Sequence, residues 1–98
     1  MIGQERAADG SATLLRLGGE LDITARDALC EAIFAALDDG DVVVDLEAVS
    51  FLDSEALGAL IEGYHAARAR PAGFRVVNAN GVVARVLKVS GASELFGG

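Results

Sequence analysis

The chain has few of the residues that build disulfides and metal sites. Among its 98 residues there are one cysteine, one histidine, one proline and no tryptophan. The single Cys30 excludes an internal disulfide and favours a reducing compartment. Zinc sites of the usual kind need three or four Cys and His ligands, whereas this chain offers only Cys30 and His65. We therefore expect no metal and no cofactor, and we interpret Cys30 as a half-buried apolar residue.

Cations are also scarce, with 8 Lys and Arg against 15 Asp and Glu and a net charge of −7. Nucleic acids and anionic lipids bind proteins through clustered cations, so we expect neither direct nucleic-acid binding nor membrane insertion. No apolar run approaches the roughly 18 residues of a transmembrane helix, and the N-terminus lacks the basic and apolar regions of a signal peptide. These features predict a soluble, cytoplasmic protein.

Catalytic signatures are missing as well. The chain contains neither a glycine-rich phosphate-binding loop nor the Gly-x-Ser-x-Gly turn of serine hydrolases. A hydrolase built from Ser54, His65 and an aspartate would need the serine and the histidine within hydrogen-bond reach. These two residues are eleven positions apart on one predicted helix, or about 16 Å along its axis. We therefore predict that the protein is not an enzyme.

What the chain does have is apolar content, since 52% of its residues are hydrophobic and 23% are charged. Its length and composition predict one folded domain over residues 1–98. Apolar runs bounded by turn residues predict strands at 2–7, 12–18, 42–46 and 74–78, with an Asp9-Gly10 turn between the first two. The β-branched run at 42–46 is typical of a central strand covered on more than one side, and a loop is predicted over 47–52.

Three helices are predicted between and after these strands. The first begins at its predicted cap, Thr24, and ends at Asp39-Gly40. The second begins at about Ser54, and the third follows the predicted cap Asn80 and ends near Gly91. Alternating strands and helices predict an α/β fold with a mixed sheet, in which the leading hairpin supplies an antiparallel edge. The apolar stripe of the first helix is Leu29, Ile33, Ala36 and Leu37.

The start of the second helix, Asp53-Ser54-Glu55, is the most informative segment for function. A helix N-terminus offers free N–H groups and the positive end of its dipole to an anion, so Ser54 is a candidate acceptor of a phosphoryl group. Serine and aspartate at helix starts are also ordinary capping residues. Position alone leaves both interpretations open.

Several segments follow one another in an order that carries family information. They are Gly19-Glu20-Leu21-Asp22 after a strand, Val42-Val43-Val44-Asp45-Leu46, Val49-Ser50-Phe51-Leu52-Asp53-Ser54, Leu57-Gly58-Ala59-Leu60, Val76-Val77-Asn78, and Val83, Val86 and Leu87 before Ser90-Gly91. Together they closely resemble the STAS domain of bacterial anti-sigma-factor antagonists. The resemblance covers the chain from about residue 11 onward.

The resemblance implies a STAS-like single domain with a four-stranded mixed sheet and helices packed mainly on one face. It implies binding to an anti-sigma factor that is also a serine kinase, which frees the sigma factor. The resemblance further implies that the kinase phosphorylates Ser54 and the pair separates, until a serine phosphatase acting on the phosphorylated form resets the switch. The partner-binding residues implied in this way are Asp22, Asp53, Ser54, Glu55, Leu57 and Gly58.

The chain departs from the family pattern directly after this serine. The family usually has a second small hydroxyl residue and then glycine, where this chain has Glu55 and Ala56. One hypothesis is that Glu55 partly mimics the phosphorylated state or changes the choice of kinase. The alternative function is a non-switching STAS scaffold subunit of a lipid-transport ATPase or of a stress-signalling complex, in which Ser54 only caps the helix.

Overall fold

Four strands form a single mixed sheet in the computed structural model, which describes residues 1–6 and 10–96. The strands are β1 (Ile2–Arg6), β2 (Ala12–Leu21), β3 (Asp41–Leu52) and β4 (Phe74–Val77). The sheet order is β1-β2-β3-β4, with β1 antiparallel to β2 and the other two pairs parallel. The predicted α/β fold with an antiparallel N-terminal edge strand is confirmed. Asp9 of the predicted turn lies outside the described residues.

The helices follow the strands in the predicted alternation. They are α1 (Arg26–Asp38), α2 (Ser54–Ala69), α3 (Gly81–Val89) and α4 (Ala92–Leu95), and a 3-10 turn over Ile23–Ala25 precedes α1. Gly91 follows α3 with a φ of +83°, a left-handed conformation that glycine adopts without strain. The short α4 was not predicted from the sequence.

The core lies between the helices and one face of the sheet. Along β3, Val42, Val44 and Leu46 are buried, whereas Val43 and Asp45 between them are partly exposed. This alternation is expected of a sheet with one covered face. The four predicted core positions of α1 are all buried: Leu29, Ile33, Ala36 and Leu37. The expectation of helices mainly on one face, with 42–46 as a central rather than an edge strand, is confirmed. The expected cover on more than one side of this strand is wrong, because Val43 and Asp45 are half-exposed.

The predicted loop over residues 47–52 is wrong, because β3 continues through Leu52. Strand β2 also runs beyond its predicted end to Leu21 and pairs with this part of β3. Two shifts in register, one between Arg16 and Gly18 and one after Gly19, allow the pairing to continue. These irregularities break the regular alternation that identifies a strand in a sequence.

Both predicted side-chain caps are also wrong. Asp22 caps the 3-10 turn, because its Oδ1 accepts the backbone N–H of Thr24 at 3.0 Å. The Thr24 hydroxyl also donates to Asp22 Oδ1, at 2.5 Å, and α1 begins later without a side-chain cap. Asn80 occupies the cap position of α3 with extended backbone angles but makes no capping bond. Its amide instead donates to the carbonyl oxygens of Asn78 and Glu47, which ties the start of α3 to β3.

Candidate functional site

The segments that contain Asp22 and Ser54 meet at one edge of the sheet. Leu21 and Leu52 are paired at the ends of the parallel strands β2 and β3. The backbone N–H of Asp53 donates to the Leu21 carbonyl oxygen at 3.0 Å. The turn after β2 and the first turn of α2 therefore lie side by side. We call this region, formed by residues 22–24 and 53–58, the docking edge.

Asp53, not Ser54, caps helix α2. Its carboxylate accepts the backbone N–H of Ala56 at 3.0 Å, and its extended backbone is that of an N-cap residue. Ser54 is the first residue of the helix and is exposed, and no hydrogen bond joins its hydroxyl to another described residue. The serine is thus unnecessary for capping and its hydroxyl is open to solvent.

Asp22 contributes a second carboxylate to the docking edge. The hydroxyl of Thr24, followed by its backbone N–H, hydrogen-bonds this carboxylate and lowers the pKa of Asp22. Asp22 therefore stays negatively charged below the pH at which an ordinary aspartate is protonated. The next side chain, Ile23, is 65% exposed, so the edge combines carboxylates with an uncovered apolar residue. Ile23 was not predicted as a site residue, although an isoleucine beside a turn aspartate is a usable signal.

Glu55 forms an ion pair within the chain. The Arg26 guanidinium at the start of α1 lies 3.8 Å from a carboxylate oxygen of Glu55 and 3.1 Å from one of Glu62. All three side chains are partly exposed, so solvent screens these pairs. Arg26 nevertheless balances part of the charge of Glu55. Glu55 is therefore a weaker mimic of a phosphate group than an unpaired glutamate would be. The sequence contained one signal of this pairing, a cation and an anion in the first turns of adjacent helices.

Comparison with known proteins identifies the family. A family model described as "Mlab, STAS domain" matches residues 5–97. The chain belongs to the STAS domain family. The crystal structure of an anti-sigma factor antagonist from Mycobacterium paratuberculosis is similar over 99% of this chain and 82% of its own, with 30% identity and a TM-score of 0.86. No curated protein matches the chain.

Two solved structures of SpoIIAA extend the comparison of this STAS domain. The unphosphorylated anti-sigma factor antagonist is 22% identical, with 97% of this chain and 84% of that chain covered and a TM-score of 0.83. The phosphorylated Bacillus SpoIIAA is 21% identical, with 97% and 87% covered and a TM-score of 0.76. At these identities the likeness establishes the shared fold, and the recognised resemblance to the STAS family is confirmed by the family match.

The residues that follow Glu55 in this STAS domain differ in whether a partner can reach them. Ala56 and Leu57 belong to the hydrophobic core, so the methyl group of Ala56 does not stand between the docking edge and a partner. Gly58 lies one turn after Ser54, and a Cβ atom placed there would meet nothing within 4 Å. Ser54 and Gly58 therefore form an open strip on α2, which Leu57 supports from below.

Cys30 and His65 remain outside the docking edge. The half-buried Cys30 thiol donates to Glu62 Oε2 at 3.3 Å, and burial, followed by this bond and the charge of Glu62, raises the pKa of the thiol. A raised pKa lowers the reactive thiolate fraction. His65 is exposed on α2 and stacks edge-on against Tyr64. Over residues 1–6 and 10–96, no three His, Cys, Asp or Glu side chains are grouped as metal ligands, and no helix is long and apolar enough to cross a membrane.

Proposed function

We propose that this protein is a cytoplasmic, non-enzymatic anti-sigma-factor antagonist whose docking edge binds an anti-sigma serine kinase. The observation that carries the proposal is the exposed Ser54 at the start of α2, beside a cap that Asp53 already supplies. Support comes from the 30% identical anti-sigma factor antagonist and from the existence of SpoIIAA in unphosphorylated and phosphorylated forms. Asp22, Asp53, Ser54, Glu55 and Gly58 form the contact surface, and the sixth predicted contact residue, Leu57, supports it from the core. The sigma factor is released when this surface is occupied.

Phosphorylation of Ser54 is the proposed off-switch. The kinase transfers the γ-phosphoryl group of ATP to Ser54 Oγ, so that ADP leaves and the hydroxyl loses its proton. The product adds about 1.5 to 2 negative charges between Asp53 and Glu55. A partner surface that complements the unmodified docking edge has no cation to balance the phosphate dianion. The added charge is therefore repelled, and the complex dissociates. A serine phosphatase restores the hydroxyl by hydrolysing the phosphate ester.

Intact-mass spectrometry after incubation with the cognate anti-sigma kinase and ATP tests the switch. The protein is expected to gain one phosphate, and Ser54→Ala is expected to abolish the gain. Ser50→Ala is the matched control, because Ser50 is an exposed serine nearby on β3 and should leave phosphorylation unchanged. A phosphate that persists in Ser54→Ala would refute the site.

The carboxylates on both sides of Ser54 favour a second candidate, a STAS scaffold subunit of a lipid-transport ATPase or stress-signalling complex that does not switch. Asp53 and Glu55 already place negative charge at the first turn of α2, which opposes the addition of a phosphate. In this case the same docking edge binds its partner permanently. Complexes that remain intact and unphosphorylated in the presence of ATP would favour the scaffold over the switch.

A further inference from the structure

Helix α3 has a second apolar side that does not face the core. Val83 and Leu87 are buried, whereas Val82 is 58% and Val89 is 81% exposed. A shallow depression of about 350 Å³ lies on this outer side. Its lining residues are Arg85, Val86, Val89 and Ser90. A helix that shows apolar side chains and a recess to solvent has the shape used to accept a side chain from another helix.

Positive charge without an ion pair lies on and beside this side of α3, since Arg85 lines the recess and the exposed Lys88 lies on the neighbouring part of the helix surface. Arg85 and Lys88 form no ion pair with any residue in the described part of the chain, and α3 contains no acidic residue. Four other arginines, in contrast, are paired with carboxylates, namely Arg6, Arg16, Arg26 and Arg70. The protein as a whole carries a net charge of −7, so these unpaired cations stand out on its surface. A binding partner with acidic and apolar side chains would complement this side of α3.

Helix α1 of this same chain has the complementary surface. Asp27, Glu31 and Phe34 follow one another at helical spacing on its exposed side, and Phe34 is 38% exposed. Neither Asp27 nor Glu31 is ion-paired within residues 1–6 and 10–96. Each molecule therefore presents an acidic strip with an aromatic side chain on one helix and a basic strip with a recess on another.

We propose that α3 is a self-association surface that binds α1 of a second copy of the chain. Phe34 of one molecule fills the recess beside Val89 of the next, and the carboxylates of α1 face Arg85 and Lys88. The two surfaces differ, so the contact is heterologous and closes into a dimer only if both copies make it at once. One helix on one helix is a small interface, which places association at roughly 0.1 to 1 mM.

The net charge of each copy opposes association at long range but does not prevent it. At 0.15 M ionic strength the Debye length is about 8 Å, so the distant charges of the two −7 molecules are largely screened. Charges in direct contact are screened less. The proposal concerns α1 and α3 and does not depend on the docking edge or on Ser54.

Sedimentation velocity from 10 µM to 1 mM at 0.15 M salt tests the surface with two charge-reversed variants. In the first, Arg85→Glu and Lys88→Glu make α3 acidic; in the second, Asp27→Lys and Glu31→Lys make α1 basic. Each variant alone should lose association by at least tenfold in Kd. An equimolar mixture should regain it, because every α1–α3 contact between the two variants again joins opposite charges.

Two control variants distinguish the α1–α3 contact from a general effect of net charge. Arg75→Glu should leave association unchanged, because Arg75 is an exposed cation on β4 and belongs to neither α1 nor α3. Val89→Ser should weaken association without changing the net charge. Circular dichroism verifies that each variant is folded. A wild-type protein that stays monomeric at 1 mM would overturn the proposal, as would folded charge-reversed variants that fail to associate when mixed.

Discussion

Gly63 lies on α2 at a point where an added Cβ atom would disturb the packing of α1 against α2. A Cβ there would lie 2.8 Å from Ile33 Cγ2 and 2.9 Å from Phe74 Cε2, closer than such atoms approach in folded proteins. Gly63→Ala should lower the free energy of unfolding by about 1–2 kcal/mol, because the overlap outweighs the better helix propensity of alanine. Urea denaturation measures this change.

Gly58→Ala on the same helix is the matched control for Gly63. A Cβ at Gly58 meets no atom within 4 Å, so the substitution should raise the free energy of unfolding by up to about 1 kcal/mol through helix propensity alone. Two alanine variants that shifted stability in the same direction would contradict this description of α2.

At the residue scale, local sequence patterns located the start of α2 but not the side chains that cap the other helices. Asp53 and Ser54 were recognisable because they begin a helix, and their placement needs no distant residue. The role of Gly63 depends on Ile33 and Phe74, which lie on other elements, and Glu55 pairs with Arg26 on another helix. Such contacts are set by how the elements pack; the charges in the first turns of α1 and α2 indicate the Arg26–Glu55 pair only once the two helices are known to be adjacent.

At the scale of elements, Arg26 joins α1 to the first turn of α2 through its ion pair with Glu55, the residue that follows Ser54. Under the proposed function, Arg26→Gln should weaken binding of the anti-sigma kinase about three- to tenfold, because Glu55 would then present its full charge. Stability should change by less than about 1 kcal/mol, since these ion pairs are partly exposed. Isothermal calorimetry measures the affinity.

A double-mutant cycle isolates the pair. Glu55→Gln combined with Arg26→Gln should restore the affinity of the unmodified protein, because the carboxylate beside Ser54 that Arg26 balances is then absent, while Glu62 is left unpaired with and without Glu55. If Arg26→Gln weakened binding by the same factor with and without Glu55, Arg26 would act by another route.

The sequence predicted some helices and strands well and others poorly, depending on how strongly local periodicity marks each element. The stripes of α1 and the β-branched start of β3 carry strong periodic signals, and both elements were predicted. The second half of β3 depends on its pairing with residues 18–21 of β2, which crosses two shifts in register. Because the pairing, not the local pattern, stabilises that half, the sequence alone suggested a loop.

At the scale of the whole molecule, charge is divided between surfaces. The docking edge carries Asp22, Asp53 and Glu55 at the ends of two parallel strands, whereas α3 carries unpaired cations. The fold thus separates an acidic surface, where a phosphate would act, from a basic one available for self-association. The net charge of −7 sums the charges of all surfaces, so it predicts neither the acidic docking edge nor the basic helix α3.

The most direct test of the central claim is the affinity of the cognate anti-sigma kinase for the protein with and without phosphate on Ser54. Isothermal calorimetry on the unmodified and the fully phosphorylated protein should give a Kd at least 100-fold higher for the phosphorylated form. That change corresponds to about 2.7 kcal/mol, within the cost of a buried like charge at an interface. Equal affinities for the two forms would contradict the switch.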